Sequence, residues 1–432
     1  MTAASIARPL AGERWITGTA VMLIASMATL VRSFLAVKLF FIALFVIAFM
    51  VNVALGRTRI VVYRRLVWFY LWIGLAGVVW AIVGLLHPAN YVQGVFDALR
   101  LYVVWSGAFV ILYTLLRAKQ SLQPMHTAMV IAGILIPVIN FVGLYDLFTG
   151  LGLISDGIRQ ELELEIGFGH GYIQFNSVNI SSMFVIAPYL LSLQFRKDAG
   201  KSSSVLTKLA LVLSLVLVAL SGRRALWIVV ALTPCTILLL SGLTGSNGLI
   251  KAGGKRFLLA CAAVGVVGLG TLLILPESGP DVGSIGGLKQ AFSSDDERTI
   301  QKPYLIQGFM ESPVFGSGFG GYAGYQRNDL KPWTYELTYH TLLFNVGIVG
   351  AAFLLTLFSF YFLLAIGLLS RFKEGSAIPF GLLVAFCSLL AGAYSNPYLG
   401  GFDSLFFAGL LPYLSTFQNG FDRPTSTAGV AL

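Results

Sequence analysis

Long apolar runs separated by short polar intervals dominate the chain. Twelve stand out, at roughly 15–31, 39–55, 66–86, 101–116, 127–148, 179–195, 209–220, 225–243, 257–275, 341–369, 378–394 and 402–417. A helix needs about 17 or more such residues to cross about 30 Å of hydrocarbon, and most of the runs reach that length. They are continuous rather than alternating, which excludes a membrane β-barrel. The pattern predicts an all-α, polytopic helical membrane protein of about 12 transmembrane helices, forming a single integral membrane domain over 1–432. The first two runs and the pair at 209–243 have short connections, where a re-entrant hairpin would look the same.

The largest polar interval comes late, as a loop over 276–340. It predicts a helix near 295–310. Ser293 or Ser294 can cap it, and Asp295, Asp296 and Glu297 in its first turn suit the positive end of the helix dipole. Glu311, Ser312 and Pro313 end it, and Gly316, Gly318, Gly320 and Gly321 then permit a tight turn and close backbone approach. Two smaller intervals carry charge on the same side. His87 to Arg100 holds Asp97, and Thr149 to Val178 holds Asp156, Arg159, His170 and the alternating Glu161, Glu163 and Glu165.

Composition agrees: charged residues make up 11% of the chain, against about 25% in soluble domains. Charge then orients the bundle. With the N-terminus inside, the inner segments hold 18 of the 29 basic residues and 4 of the 19 acids, a net +14, and the opposite side sums to −4. The positive-inside rule therefore places both termini in the cytoplasm and the 276–340 loop outside, which in a bacterium is the periplasmic face of the inner (cytoplasmic) membrane. The overall +10 follows from this distribution and does not point to nucleic acid. The first run, with Arg8 and Arg14 before it, reads as a retained signal anchor. Cys235, Cys261 and Cys387 all lie inside apolar runs and read as small core residues.

Basic residues kept outside against this bias are the informative ones. Arg223 and Arg224, in SGRRALW, either snorkel at the interface or form an anion site, since the guanidinium fork suits phosphate oxygens. Arg298 and Lys302 lie four apart on one face of the loop helix, either as a solvated face or as further cations for the same anion, with Arg327 beyond them. His340 opens the next span. It is either structural or a general base for a hydroxyl, and Glu336 would share its face if the helix already included both. The three alternating glutamates would face one way if extended, as a solvated loop edge or a divalent metal site. The glycine run lacks the Lys-Ser/Thr ending of a phosphate loop. The chemistry expected is free of metal and nucleotide, with no cofactor.

Three segments resemble the bacterial O-antigen polymerase and O-antigen ligase superfamily. SGRRALWIVVAL (221–232) is similar to the family's Ser-Gly-Ser-Arg segment, with Arg224 at the family arginine. ERTIQKPYLIQGFMESPVFGSGFGGY (297–322) resembles its arginine, helix, Ser-Pro and glycine-rich turn, with Arg298 at the arginine. YHTLLFNVGIVGAAF (339–353) resembles its histidine segment, with His340 at the histidine and Thr341 where an asparagine often stands. The resemblance implies a membrane glycosyltransferase whose donor is a glycan on undecaprenyl pyrophosphate. Arg224 and Arg298 would bind and stabilise the pyrophosphate leaving group and His340 would orient or deprotonate the acceptor hydroxyl, with Arg223, Lys302, Glu336 and Arg327 binding substrate. Transfer would be metal-free and inverting. Its implied partners are the lipid-linked oligosaccharide, the bilayer and, for a polymerase, a polysaccharide chain-length regulator. A repeat-unit polymerase is the preferred reading. The alternatives are a ligase acting on lipid A core and, from another class, a transporter of a lipid-linked or anionic solute. A transporter would be expected to keep its charges near the membrane midplane and to show internal repeats, which this chain does not.

The orientation makes a direct prediction. A Lys331→Cys variant should react with a membrane-impermeant maleimide on intact cells, and a Lys201→Cys variant only after permeabilisation. The opposite pattern would put the whole candidate chemistry in the cytoplasm.

Overall fold

The computed structural model describes residues 11–31, 33–57, 60–117, 122–169, 172–251, 253–260, 296–327, 329–371, 376–394 and 401–417. Most of the expected 257–275 span lies outside the described residues. So do His170, Cys261, the first part of the loop and its proposed caps Ser293 and Ser294.

The described chain is helical almost throughout. The N-terminal half contains α1 (Ala11–Thr29), α2 (Leu35–Ala54), α3 (Arg64–Leu86), α4 (Val92–Leu99), α5 (Ser106–Arg117), α6 (Gln123–Thr149) and the short α7 (Asp156–Leu162). A hairpin follows, with β1 (Glu165–Gly169) antiparallel to β2 (Tyr172–Asn176) and Glu165 opposite Asn176. Then come α8 (Met183–Phe195), α9 (Val205–Leu220), α10 (Arg224–Leu243), α11 (Asp296–Glu311), α12 (Thr338–Arg371), α13 (Ala377–Gly392), α14 (Phe402–Ala408) and α15 (Leu410–Ser415). Among the described residues, seven helices are long and apolar enough to cross a membrane, and three shorter apolar helices accompany them. The protein is an all-α polytopic membrane protein.

Two boundaries differ from expectation. The 101–116 span begins much earlier, because α4, a π-helical turn over Arg100–Trp105 and α5 form one continuous apolar helix from Val92 to Arg117. Asp97 and Arg100 pair one turn apart at 2.9 Å, so their charges do not interrupt it. The hairpin was not anticipated at all. Glu161 ends up on α7, Glu163 turns into the left-handed region and only Glu165 is in a strand. The three carboxylates therefore share no extended edge, and among the described residues no three His, Cys, Asp or Glu side chains converge.

Helices α8 and α13 form the centre of the bundle, buried on nearly every side. The large apolar side chains left exposed on α2, α3, α5 and α12 face where lipid would be. Buried charges are paired within this core. Lys38 bonds Asp403 at 3.0 Å with both side chains almost fully buried. Arg196 grips Asp198 through two 2.8 Å bonds and also donates to Ser376. Such pairs hold particular helices in register, because breaking one would strand a charge in an apolar interior.

The late loop is held by an exchange of backbone hydrogen bonds. Helix α12 is broken at Gly347, which adopts φ 62°. A break orphans carbonyls before it and N–H groups after it. The loop satisfies both sets. Ser317 and Gly318 N–H donate to the Phe344 and Asn345 carbonyls at 2.8 and 2.9 Å, and Ile348 and Val349 N–H donate to the Pro313 and Val314 carbonyls at 2.9 and 3.1 Å. The strands of backbone lie so close that a Cβ on Gly316 would stand 2.5 Å from the Asn345 carbonyl carbon. Only glycine fits there and at Gly347. The spanning part of α12 is thus residues 348–371, about 36 Å long at 1.5 Å per residue. Residues 338–346 form a short helix outside it.

A Gly347→Ala variant should lose roughly 3 kcal/mol of stability, from backbone overlap and a strained φ together. Gly367→Ala, in the same helix with open space around it, should be neutral or gain up to about 1 kcal/mol. Thermal unfolding in detergent would test both, and equal midpoints would argue against the interlock.

Candidate functional site

The short helix 338–346 sits on α11. Leu305 of α11 packs with Tyr335, Leu337 and Phe344, and Gly308 lets the Phe344 ring approach. The same loop reaches α3 and α4. Phe319 N–H donates to the Trp80 carbonyl, Tyr91 N–H donates to the Gly320 carbonyl, and the Trp80 indole donates to the Phe315 carbonyl. Tyr335 accepts the Ala323 N–H at 2.7 Å, and burial pushes its pKa up to about 12, so it remains a neutral phenol. Tyr339 donates to the Leu390 carbonyl of α13. The platform is therefore tied to helices on several sides.

On this platform the ionisable residues form one network. Glu336 accepts from Arg298 Nε at 2.9 Å and from Arg327 at 2.5 Å. Arg327 also bonds Glu297 at 2.9 Å. The Glu336 backbone N–H donates to the Gln301 side chain at 3.0 Å. Lys302 lies within electrostatic reach of His340, on the first turn of the short helix and so outside the span. Partial burial, and then the Lys302 charge, lower the His340 pKa below the ordinary histidine value and favour the neutral, proton-accepting imidazole. Three cations, two carboxylates and an imidazole thus share one end of the bundle, with the arginines about one-third exposed.

The structure brings together five of the seven expected residues: Arg298, Lys302, Arg327, Glu336 and His340. One expected relation is corrected. Helix α12 begins at Thr338, so Glu336 precedes it and is engaged by the two guanidiniums rather than set on a helical face with His340. Arg223 and Arg224 lie at the α9–α10 turn. Arg223 donates to Asn176, to the Ser177 carbonyl and to Ser181, joining the turn to the chain that follows the hairpin. Arg224 is the half-buried first residue of α10.

Gln301 and Asn345 went unanticipated. Gln301 is fully buried, and its Nε2, the Asn345 Oδ1 and the His340 Nδ1 are buried polar atoms without a hydrogen-bond partner among the described residues. Unsatisfied buried groups are uncommon, and each calls for an explanation such as a bound water or ligand. An uncharged amide inside a helical pattern carries no signal in one sequence.

A bundle of membrane helices with its ionisable residues gathered on a braced platform at one end defines a class: an integral membrane protein with an interfacial polar site. Residues 209–355 match the family model described as O-antigen ligase. That segment is similar to the O-antigen polymerase and ligase superfamily, and it contains all seven expected site residues. No curated protein matches the chain.

The network predicts what Glu336 does for the loop. Glu336→Gln should speed amide hydrogen exchange over 322–337 about fivefold, the effect of losing roughly 1 kcal/mol of partly exposed ion pairing. The global unfolding midpoint should barely change. Unaltered exchange would mean that the Gln301 and Tyr335 bonds hold the loop alone.

Proposed function

We propose that this protein is a glycosyltransferase acting at the periplasmic face of the inner membrane, taking a glycan from undecaprenyl pyrophosphate and passing it to a hydroxyl, as a repeat-unit polymerase. The observation that carries the reading is the juxtaposition of Arg298, Lys302 and His340 on one braced platform. A pyrophosphate ester bond broken at the anomeric carbon leaves its electron pair on phosphate oxygen. Guanidinium and ammonium groups fixed where that charge develops lower the barrier, because they need no reorganisation. The acceptor oxygen attacks the opposite face of the anomeric carbon, its proton passes to His340, and the sugar inverts.

Glu336 has a definite part in this scheme. It holds Arg298 and Arg327 in place before substrate arrives, and the incoming pyrophosphate competes for the same guanidiniums. Arg224 is assigned to the same leaving group through the family motif. Arg223, with its bonds to Asn176, Ser177 and Ser181, keeps the Arg224 turn in position. A second reading, transfer to lipid A core, is favoured by the name of the matched family, O-antigen ligase. It uses the same donor chemistry and differs only in acceptor.

The test supplies purified protein in liposomes with one lipid-pyrophosphate-linked repeat unit, alone or with lipid A core. A ladder from the repeat unit alone is the expected product. Arg298→Ala should lower the rate by about 10²–10³-fold and His340→Ala by about 10²–10⁴-fold, with both variants monodisperse. Product only when core is present would make the protein a ligase. No product under either condition, with substrates active in a control enzyme, would leave the transporter reading.

A further inference from the structure

Helix α3 runs about 35 Å, at 1.5 Å per residue, from Arg64 to the platform. At its Arg64 end, opposite the platform, a groove of ≈ 450 Å³ opens between α3 and α12. Its walls include Arg64, Arg65, Trp68 and Trp72 from α3, and Phe360 and Tyr361 from α12, and among the described residues no acidic one lines it. Trp68 and Trp72 stack on one another, with centroids 6.2 Å apart. Both are well exposed, as is Phe360 across the groove. Arg65 is anchored: its guanidinium donates to the Ser415 carbonyl, and its own carbonyl accepts from Tyr361. Arg64 is exposed at the mouth.

We propose that this groove binds an anionic phospholipid of the cytoplasmic leaflet, with the phosphate at Arg64 and Arg65 and an acyl chain along Trp68, Trp72 and Phe360. The arginine fork matches phosphate oxygens, and basic pockets between membrane helices on the cytoplasmic side hold anionic head groups. Tryptophans at this depth mark the interface. The volume falls within the range of about 300–1,000 Å³ typical of small-molecule sites. Shape favours a lipid over a free anion. Trp68 and Trp72 follow Arg64 by four and eight residues, so the aromatic wall extends about 6 and 12 Å from the charge toward the membrane interior. A bare phosphate would leave that wall uncovered, whereas a lipid covers both ends. The site is separate from the glycan chemistry proposed above and uses none of its residues.

Native mass spectrometry of the full chain in detergent tests this, with phosphatidylglycerol, phosphatidylcholine of the same acyl chains and inorganic phosphate as probes. The wild type should retain phosphatidylglycerol at least about fivefold better than phosphatidylcholine, the preference expected from one basic side chain at the head group. Arg64→Gln should abolish the preference and Arg64→Lys should keep part of it. Trp72→Ala should weaken both lipids alike, giving a second handle should Arg64→Gln fold poorly. Equal retention of the two lipids by the wild type, an unchanged preference in Arg64→Gln, or displacement of bound lipid by millimolar phosphate would each overturn the proposal.

Discussion

The exchange of backbone hydrogen bonds between the loop at 313–318 and the break at Gly347 is the constraint on which the platform depends. A helix interrupted beside a membrane exposes carbonyls and N–H groups that neither lipid nor an apolar neighbour can satisfy. Here each side supplies what the other lacks, through four bonds of 2.8–3.1 Å. The residues beyond, Phe319 and Gly320, then bond to the ends of α3 and α4. The loop is pinned to three helices within eight residues. That pinning fixes the direction of helix 338–346, hence where His340 lies, and it seats Phe344 against α11, hence where Arg298 and Lys302 lie. The glycines serve this contact by letting backbone meet backbone.

The cations divide by environment. Lys38 and Arg196 are buried, each closed on a carboxylate. Arg117 is buried between the Thr416 hydroxyl and the Phe417 and Tyr63 rings. Displacing any of these partners would leave a charge in an apolar interior. Arg298 and Arg327 differ. They are partly hydrated and share one carboxylate, so a second anion can approach without stranding Glu336. The same residue type is thus buried as a fastener in the core and left partly exposed on the platform, where the proposed function uses it.

The spans were legible because hydrocarbon thickness imposes a length and an apolar composition that one sequence displays directly. The loop helix was legible too, since acids at its start and Ser-Pro at its end are local signals, and α11 runs from Asp296 to Glu311 as those signals imply. What was not legible depends on distant partners. Gly347, in NVGIVG, looks like any small residue in a membrane helix, and its break is visible only once Pro313 and Gly316 lie against it. Asp97 and Arg100 read as a loop because each alone opposes a membrane helix, whereas together they are neutral. Glu336 was placed with His340 by spacing, but its partners come from 38 and 9 residues away in sequence. The hairpin at 165–176 was obscured by the glutamates before it, which drew attention to charge rather than to the alternation of IGFGHGYIQF.

The position of the polar network bears on which class of protein this bundle can be. A transporter must carry its solute through the midplane, so its ionisable residues sit there, on discontinuous helices lining a path. The break in α12 would be such a discontinuity were it open to a cavity. Instead the loop fills it, with backbone overlapping backbone at Gly316, and the carbonyls and N–H groups that could have coordinated a solute are consumed. The ionisable residues lie on the loop side of the plug. A substrate meeting them stays at the interface, where a lipid pyrophosphate keeps its head group while its tail remains in the bilayer. A plugged helix break beneath a partly exposed cationic platform fits the chemistry proposed on a lipid head group better than a solute path through that break.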